Sequence, residues 1–238
     1  MQERHEVSVE GERVVAVHHD APTDDWLFFC HGFQSDKSGS YESRCERAVT
    51  EGYNGVRFDF RGCGESDRAF HEQTLSSRIA DLRAVVEHFD PGSYVVFGSS
   101  FGGKVAFHAS DDAEAIATRA PVTDNRVFDD LRAAVVGDAA TPTEGSEEIP
   151  PGDWTGFFED LDRYPFAEAV AEVSVPVAIF HGRGDETVPL AHSIEATGEL
   201  DGDVLLQTYA EEGHRFSREA EARLQDQLFD WLDSLDQR

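Results

Sequence analysis

The chain has 238 residues, the size of one α/β domain. A hydrophobic content of 39% with 17 Phe is enough to build a real core and rules out a disordered chain. Against 48 Asp+Glu stand 20 Lys+Arg, a net charge of −28, which argues against nucleic-acid binding and against docking on an anionic membrane, both of which rest on basic side chains.

Apolar runs and helical patterns alternate along the chain. Residues 7–9 and 14–17, separated by Gly11, predict an opening antiparallel hairpin. Further strands are predicted at 26–30, 56–60, 94–97, 115–117, 175–180 and 204–206. These runs are nearly continuous in apolar residues, as strands covered on both faces are. Between them, Thr74 caps a helix with Leu75, Ile79, Leu82, Val86 and Phe89 on one stripe, stopped by Asp90-Pro91-Gly92. A last helix starts from Ser217 and carries Leu224, Leu228, Trp231, Leu232 and Leu235. Such alternation predicts an α/β fold, a mostly parallel sheet with helices on both faces. Residues 122–172 break the rhythm. They hold Pro142, Pro150 and Pro151, an acidic stretch at 143–148, and Phe128, Trp154, Phe157, Phe158, Tyr164 and Phe166. A stretch this long with so many aromatics predicts a small helical cap inserted within a single domain spanning 1–238.

Three cysteines with no C-x-x-C pair give neither a disulfide framework nor a structural zinc site. Polar residues follow Met1, and no run of 18 apolar residues occurs, so the expectation is a soluble, cytoplasmic protein. The basic residues are 2 Lys and 18 Arg. An acidic, lysine-poor chain fits adaptation to molar salt, where the Debye length shrinks to about 3 Å and self-repulsion is screened.

Gly98-Ser99-Ser100-Phe101-Gly102 follows the strand at 94–97 and opens a helical segment. This is G-x-S-x-G in its strand–turn–helix setting, which presents Ser100 on a strained turn above the sheet. Gly98 and Gly103-Lys104 also fit a phosphate-cradling loop, but Val105 stands where that loop needs a Ser or Thr for Mg²⁺. A serine nucleophile needs a base, and the base needs an orienting acid. Of ten histidines, His214 lies in a loop between the strand near 204 and the last helix, at the carboxyl edge of the sheet. His5, His18 and His19 fall on the opening hairpin, and His71, His88, His108 and His192 on helices or their edges. Asp185 follows the strand ending at Phe180 and is the candidate acid, with Glu186 and Asp124 as rivals. Backbone amides of Phe101 and of Phe33, in His31-Gly32-Phe33, are the candidate oxyanion donors. His31 orders that loop rather than transferring protons.

Together, His31-Gly32-Phe33, the segment from Phe58 to Ser66, Gly98 to Gly102, His181 to Pro189 and Gly213-His214 resemble the α/β-hydrolase family. More narrowly they resemble its small serine esterases, the cinnamoyl/feruloyl esterase and acylglycerol lipase-like branch. The resemblance implies an eight-stranded, mostly parallel sheet and a triad of Ser100, Asp185 and His214, with the loop Arg61 to Ser66 near the site. The glycine-flanked Cys63 has no partnering histidine in the sequence and is discounted as a nucleophile. The expected activity is hydrolysis of carboxylic esters with small to medium acyl or aryl groups, with no metal or organic cofactor. The partner is a small-molecule ester, with no nucleic acid and no membrane, and the chain is a monomer or homodimer. Aminopeptidase, dipeptidase or thioesterase chemistry on the same fold, and a non-catalytic ligand-binding protein, are the alternatives.

Overall fold

A computed structural model describes residues 1–109, 112–136 and 151–236. Eight strands form one sheet: β1 (Gln2–Val9), β2 (Glu12–His19), β3 (Asp25–Cys30), β4 (Asn54–Asp59), β5 (Ser93–Ser99), β6 (Ala115–Arg119), β7 (Val177–Gly182) and β8 (Val204–Tyr209). Their order is β1-β2-β4-β3-β5-β6-β7-β8. β1 pairs antiparallel with β2, and β2 with β4. Every other neighbouring pair is parallel. The strand order reverses at β3, whose two neighbours are β4 and β5, so its carboxyl end and that of β5 flank the switch-point crevice.

The helices are α1 (Ser40–Thr50), α2 (Leu75–Phe89), α3 (Phe101–Ala109), α4 (Asp129–Val136), α5 (Thr155–Leu161), α6 (Phe166–Glu172), α7 (Leu190–Glu199) and α8 (Arg218–Asp236). Two cores result, one on each face of the sheet. Phe28 and Cys30 of β3 join the side chains of α2, α3 and α7, whereas Leu27 and Phe29 meet α1 and α8. The pleat sends successive residues to opposite faces, and both faces are dry, so the strands read as unbroken apolar runs.

Local chemistry sets the helix ends. The Thr74 hydroxyl accepts the Ser77 amide at 3.0 Å and the Ser77 hydroxyl accepts the Thr74 amide at 3.0 Å, a reciprocal cap at the start of α2. Asp90 closes the helix in the left-handed region at φ 47°.

The predicted strands lie where expected, with several ends shifted by a few residues. The strand expected at 175–180 begins only at Val177, because Pro176 has no N–H to pair. It then runs on through His181 and Gly182, which pair with Thr208 and Tyr209. The sequence reading has no counterpart to α1. Its buried stripe is Tyr41, Arg44, Cys45 and Ala48, and the charged Arg44 hides the apolar periodicity. Arg44 is buried because its Nε donates to Glu221 at 2.5 Å and its guanidinium stacks on Phe97.

Between β6 and β7 lie a 3-10 turn (Asn125–Phe128) and then α4, α5 and α6, with no strand among the described residues. Phe128, Trp154, Phe157, Phe158 and Phe166 of this segment are buried in the core on the α2–α3 face. The acidic stretch 143–148, with Pro142 and Pro150, lies outside the described residues. Polar ties fix the segment to the helices on that face of the sheet. Asp160 accepts the Ser76 amide at 2.8 Å and the Ser76 hydroxyl at 2.5 Å, at the first turn of α2. Lys104 of α3 donates to the Tyr164 carbonyl at 2.7 Å.

Candidate active site

Ser100 sits between the end of β5 and the start of α3 with φ 54°, a left-handed backbone that costs a non-glycine residue energy. Its amide donates to Arg119 at 2.9 Å, and its carbonyl accepts the amides of Gly103 at 2.9 Å and Val122 at 3.1 Å. The turn is tight enough to demand glycine on both sides. A methyl group on Gly98 would strike the Gly102 carbonyl, and one on Gly102 would strike the carbonyls of Cys30 and His31. The motif's glycines are thus requirements of close backbone approach.

The loop after β8 brings His214 to this turn. His214 Nε2 lies 3.1 Å from Ser100 Oγ, and His214 Nδ1 lies 2.8 Å from Asp185 Oδ2. Because a carboxylate only accepts, Nδ1 carries the proton and Nε2 is left to accept one from the serine. The structure therefore brings Ser100, His214 and Asp185 into one hydrogen-bonded chain. The rivals stand elsewhere: Asp124 is engaged by the amide and side chain of Arg126, at 2.9 Å and 2.7 Å, and Glu186 is exposed.

Asp185 is held on every side. Its other oxygen accepts the amides of Thr187 at 2.9 Å and Val188 at 2.8 Å. Sequence reasoning missed a second histidine here. His181, fully buried, places Nε2 at 3.3 Å from Asp185 Oδ2 and 2.9 Å from the Val188 carbonyl, so that nitrogen bears the proton. Its Nδ1 meets the Ser193 hydroxyl at 2.7 Å. Burial alone pushes the Asp185 carboxyl upward, but hydrogen bonds from His181 and His214, the His214 charge and the Val188 amide outweigh it and hold the group below the usual carboxylate range. The sequence carried only a faint signal, since His181 directly follows the apolar run 175–180, and its pairing within the sheet is what encloses it.

His31 and Phe33 border the same turn. A side-chain carbon on Gly32 would lie 3.5 Å from Ser100 Cβ, so the loop after β3 runs directly against the serine. His31 Nδ1 donates to the Gly32 carbonyl at 2.8 Å, and His31 Nε2 accepts the Phe60 amide at 3.1 Å. Both contacts fix its neutral tautomer, and burial pushes its pKa down to about 3. Phe101 opens α3, so its amide lacks a partner within the helix. The Phe33 ring meets the rings of Phe70, Phe101, Phe128, Trp154 and Phe157 at centroid distances of 5.1 to 5.9 Å, an aromatic wall beside the serine. Cys63 is buried, which raises its thiol pKa and keeps it a poor nucleophile.

Residues 40–237 match the prolyl oligopeptidase family. The chain belongs to that family. The proteins it is similar to include hydrolases of esterase and thioesterase type. Human palmitoyl-protein thioesterase ABHD10, mitochondrial, is 25% identical over 214 residues, spanning 83% of this chain and 69% of that one. Among solved structures, mouse alpha/beta hydrolase domain-containing protein 10 superposes with a TM-score of 0.83 at 21% identity, covering 98% of this chain and 99% of the other. Est1E from Butyrivibrio proteoclasticus, bound to ferulic acid, gives 0.81 at 19% identity, covering 98% and 100%. At these identities the superpositions speak for the fold, the α/β-hydrolase fold, with its eight-stranded, mostly parallel sheet. No helix among the described residues is long and apolar enough to cross a membrane.

Proposed function

We propose that this protein is a serine hydrolase that cleaves carboxylic esters of small to medium acyl or aryl groups through an acyl-enzyme. The observation that carries the reading is the continuous hydrogen-bonded chain Ser100–His214–Asp185, with links of 3.1 Å and 2.8 Å. Ser100 attacks the acyl carbonyl while His214 Nε2 takes the hydroxyl proton. Asp185, itself tied by His181 and two amides, keeps the imidazole in its tautomer and balances the imidazolium. The Phe33 and Phe101 amides bind the tetrahedral oxyanion. His214 then protonates the leaving alcohol, and in the second step it draws a proton from water, which releases the acid and restores the serine.

The aromatic wall around Phe33 favours an apolar acyl or aryl group over a charged one. We read the segment 122–172 as the cap that supplies much of this wall. A thioester is the second reading, favoured by the likeness to the human palmitoyl-protein thioesterase, because the same tetrahedral step serves a better leaving group. Three buried cysteines left unpaired fit a reducing compartment such as the cytoplasm.

A panel of p-nitrophenyl esters of graded acyl length, the matching thioesters and aminoacyl p-nitroanilides, assayed in molar KCl, tests this reading. The expected result is fastest turnover on short to medium acyl or aryl esters. Faster turnover of the aminoacyl anilides would move the assignment to a peptidase, and no turnover of any member would remove the hydrolase reading. The net charge of −28 adds an expectation of salt adaptation: the unfolding midpoint rises between dilute buffer and molar KCl as self-repulsion is screened. A midpoint that stays level or falls contradicts it.

A further inference from the structure

Arg78 on α2 is fully buried, yet its guanidinium spends its donors on neutral acceptors. Nε and Nη2 donate to Gln73 Oε1, and Nη2 approaches Cys63 Sγ at 3.4 Å. The remaining contacts fall on three consecutive carbonyls of the loop after β3. Nη1 reaches those of His31 at 3.4 Å and Gly32 at 3.3 Å, and Nη2 that of Phe33 at 3.0 Å. The guanidinium plane is held in place by the Phe60 and Phe101 rings, at 4.7 Å and 5.1 Å.

The Gly32 carbonyl and the Phe33 amide belong to one peptide unit. That unit is planar, with C=O and N–H on opposite sides, so fixing the carbonyl fixes the direction of the amide. Two donors grip the carbonyl, Arg78 Nη1 and, at 2.8 Å, His31 Nδ1. A charged donor on the carbonyl also polarises the N–H at the other end of the unit. We propose that Arg78 is a positioning residue that aims and polarises the Phe33 amide as an oxyanion donor. This rests on the serine-hydrolase reading above. A Lys at 78 keeps the charge but cannot span three carbonyls, because the planar fork is what matches them.

The test compares wild type with Arg78→Lys and Gln73→Met, the latter removing the acceptor that orients the guanidinium together with the Gln73 Nε2 donor to the Phe70 carbonyl. Active sites are counted with a fluorophosphonate probe, so that kcat is expressed per competent serine. Losing an oxyanion donor outright costs on the order of 10²–10³ in turnover, so Arg78→Lys is expected to lower kcat roughly ten- to a hundredfold with KM changed by less than about threefold. Affinity for a trifluoromethyl ketone, whose adduct places an oxyanion in the same position, falls in parallel with kcat. Gln73→Met shifts both readouts the same way by a smaller factor. A merely structural role gives a different pattern, fewer titratable sites with unchanged kcat per site and unchanged ketone affinity, and that pattern overturns the proposal. If Arg78→Lys does not fold, unchanged kcat and ketone affinity in Gln73→Met overturn it instead. A wild-type protein that takes no probe and hydrolyses no ester overturns the hydrolase reading and the role of Arg78 with it.

Discussion

Ser100→Ala lowers kcat for ester hydrolysis by on the order of 10⁵–10⁶, the loss typical of removing the nucleophile from a cooperating triad. The protein stays folded, because the Ser100 hydroxyl bonds His214 while the turn itself is held by backbone. The Ser100 amide still donates to Arg119, and its carbonyl still accepts from Gly103 and Val122. Alanine tolerates the φ of 54° no worse than serine does. The measurement is steady-state hydrolysis of a p-nitrophenyl ester beside the thermal unfolding midpoint of both proteins. Activity within tenfold of wild type in a folded variant would mean that some other group forms the acyl-enzyme.

Asp185→Asn is the second large effect, a fall in kcat of roughly 10⁴ with little change in KM. An asparagine amide presented to His214 Nδ1 donates where the carboxylate accepted, which drives the imidazole proton to Nε2 and leaves no base facing Ser100. The ring loses its compensating charge as well. Two features make Asp185 hard to replace: its side chain is wholly buried, and it is gripped by His181, His214 and the amides of Thr187 and Val188. Its folded pKa is depressed, so the stability it adds is present above the ordinary aspartate value of about 3.9 and is lost as pH falls toward the lower folded value. Wild type and Asp185→Asn should accordingly converge in unfolding midpoint in strong acid and separate at neutral pH. A difference that grows on acidification contradicts that linkage.

Much of this arrangement was legible in the residues, for physical reasons. The parallel strands showed because both faces of the sheet are dry, and α2 showed because Thr74 caps it and Asp90 ends it. The chain order of Ser100, Asp185 and His214 showed because each follows a strand at one edge of the sheet. The parts that did not show are polar groups buried by pairing. Arg44 broke the stripe of α1 only because its partner, Glu221, lies 177 residues away. His181 looked like a loop residue until its neighbours in β7 and β8 enclosed it. Arg78 had a local signal, since it falls between Leu75 and Leu82 at helical spacing and so faces inward, but nothing in the sequence says what an inward guanidinium touches. Asp185 was favoured over Asp124 from its glycine-flexed loop after the strand ending at Phe180, and the fold adds that Asp124 is taken up by Arg126.

The most direct test of the account is covalent labelling with a fluorophosphonate probe, followed by proteolysis and mass mapping of the adduct. The account predicts one adduct per chain, confined to Ser100 and lost in Ser100→Ala. An adduct at another residue, or labelling that persists undiminished in that variant, would contradict it.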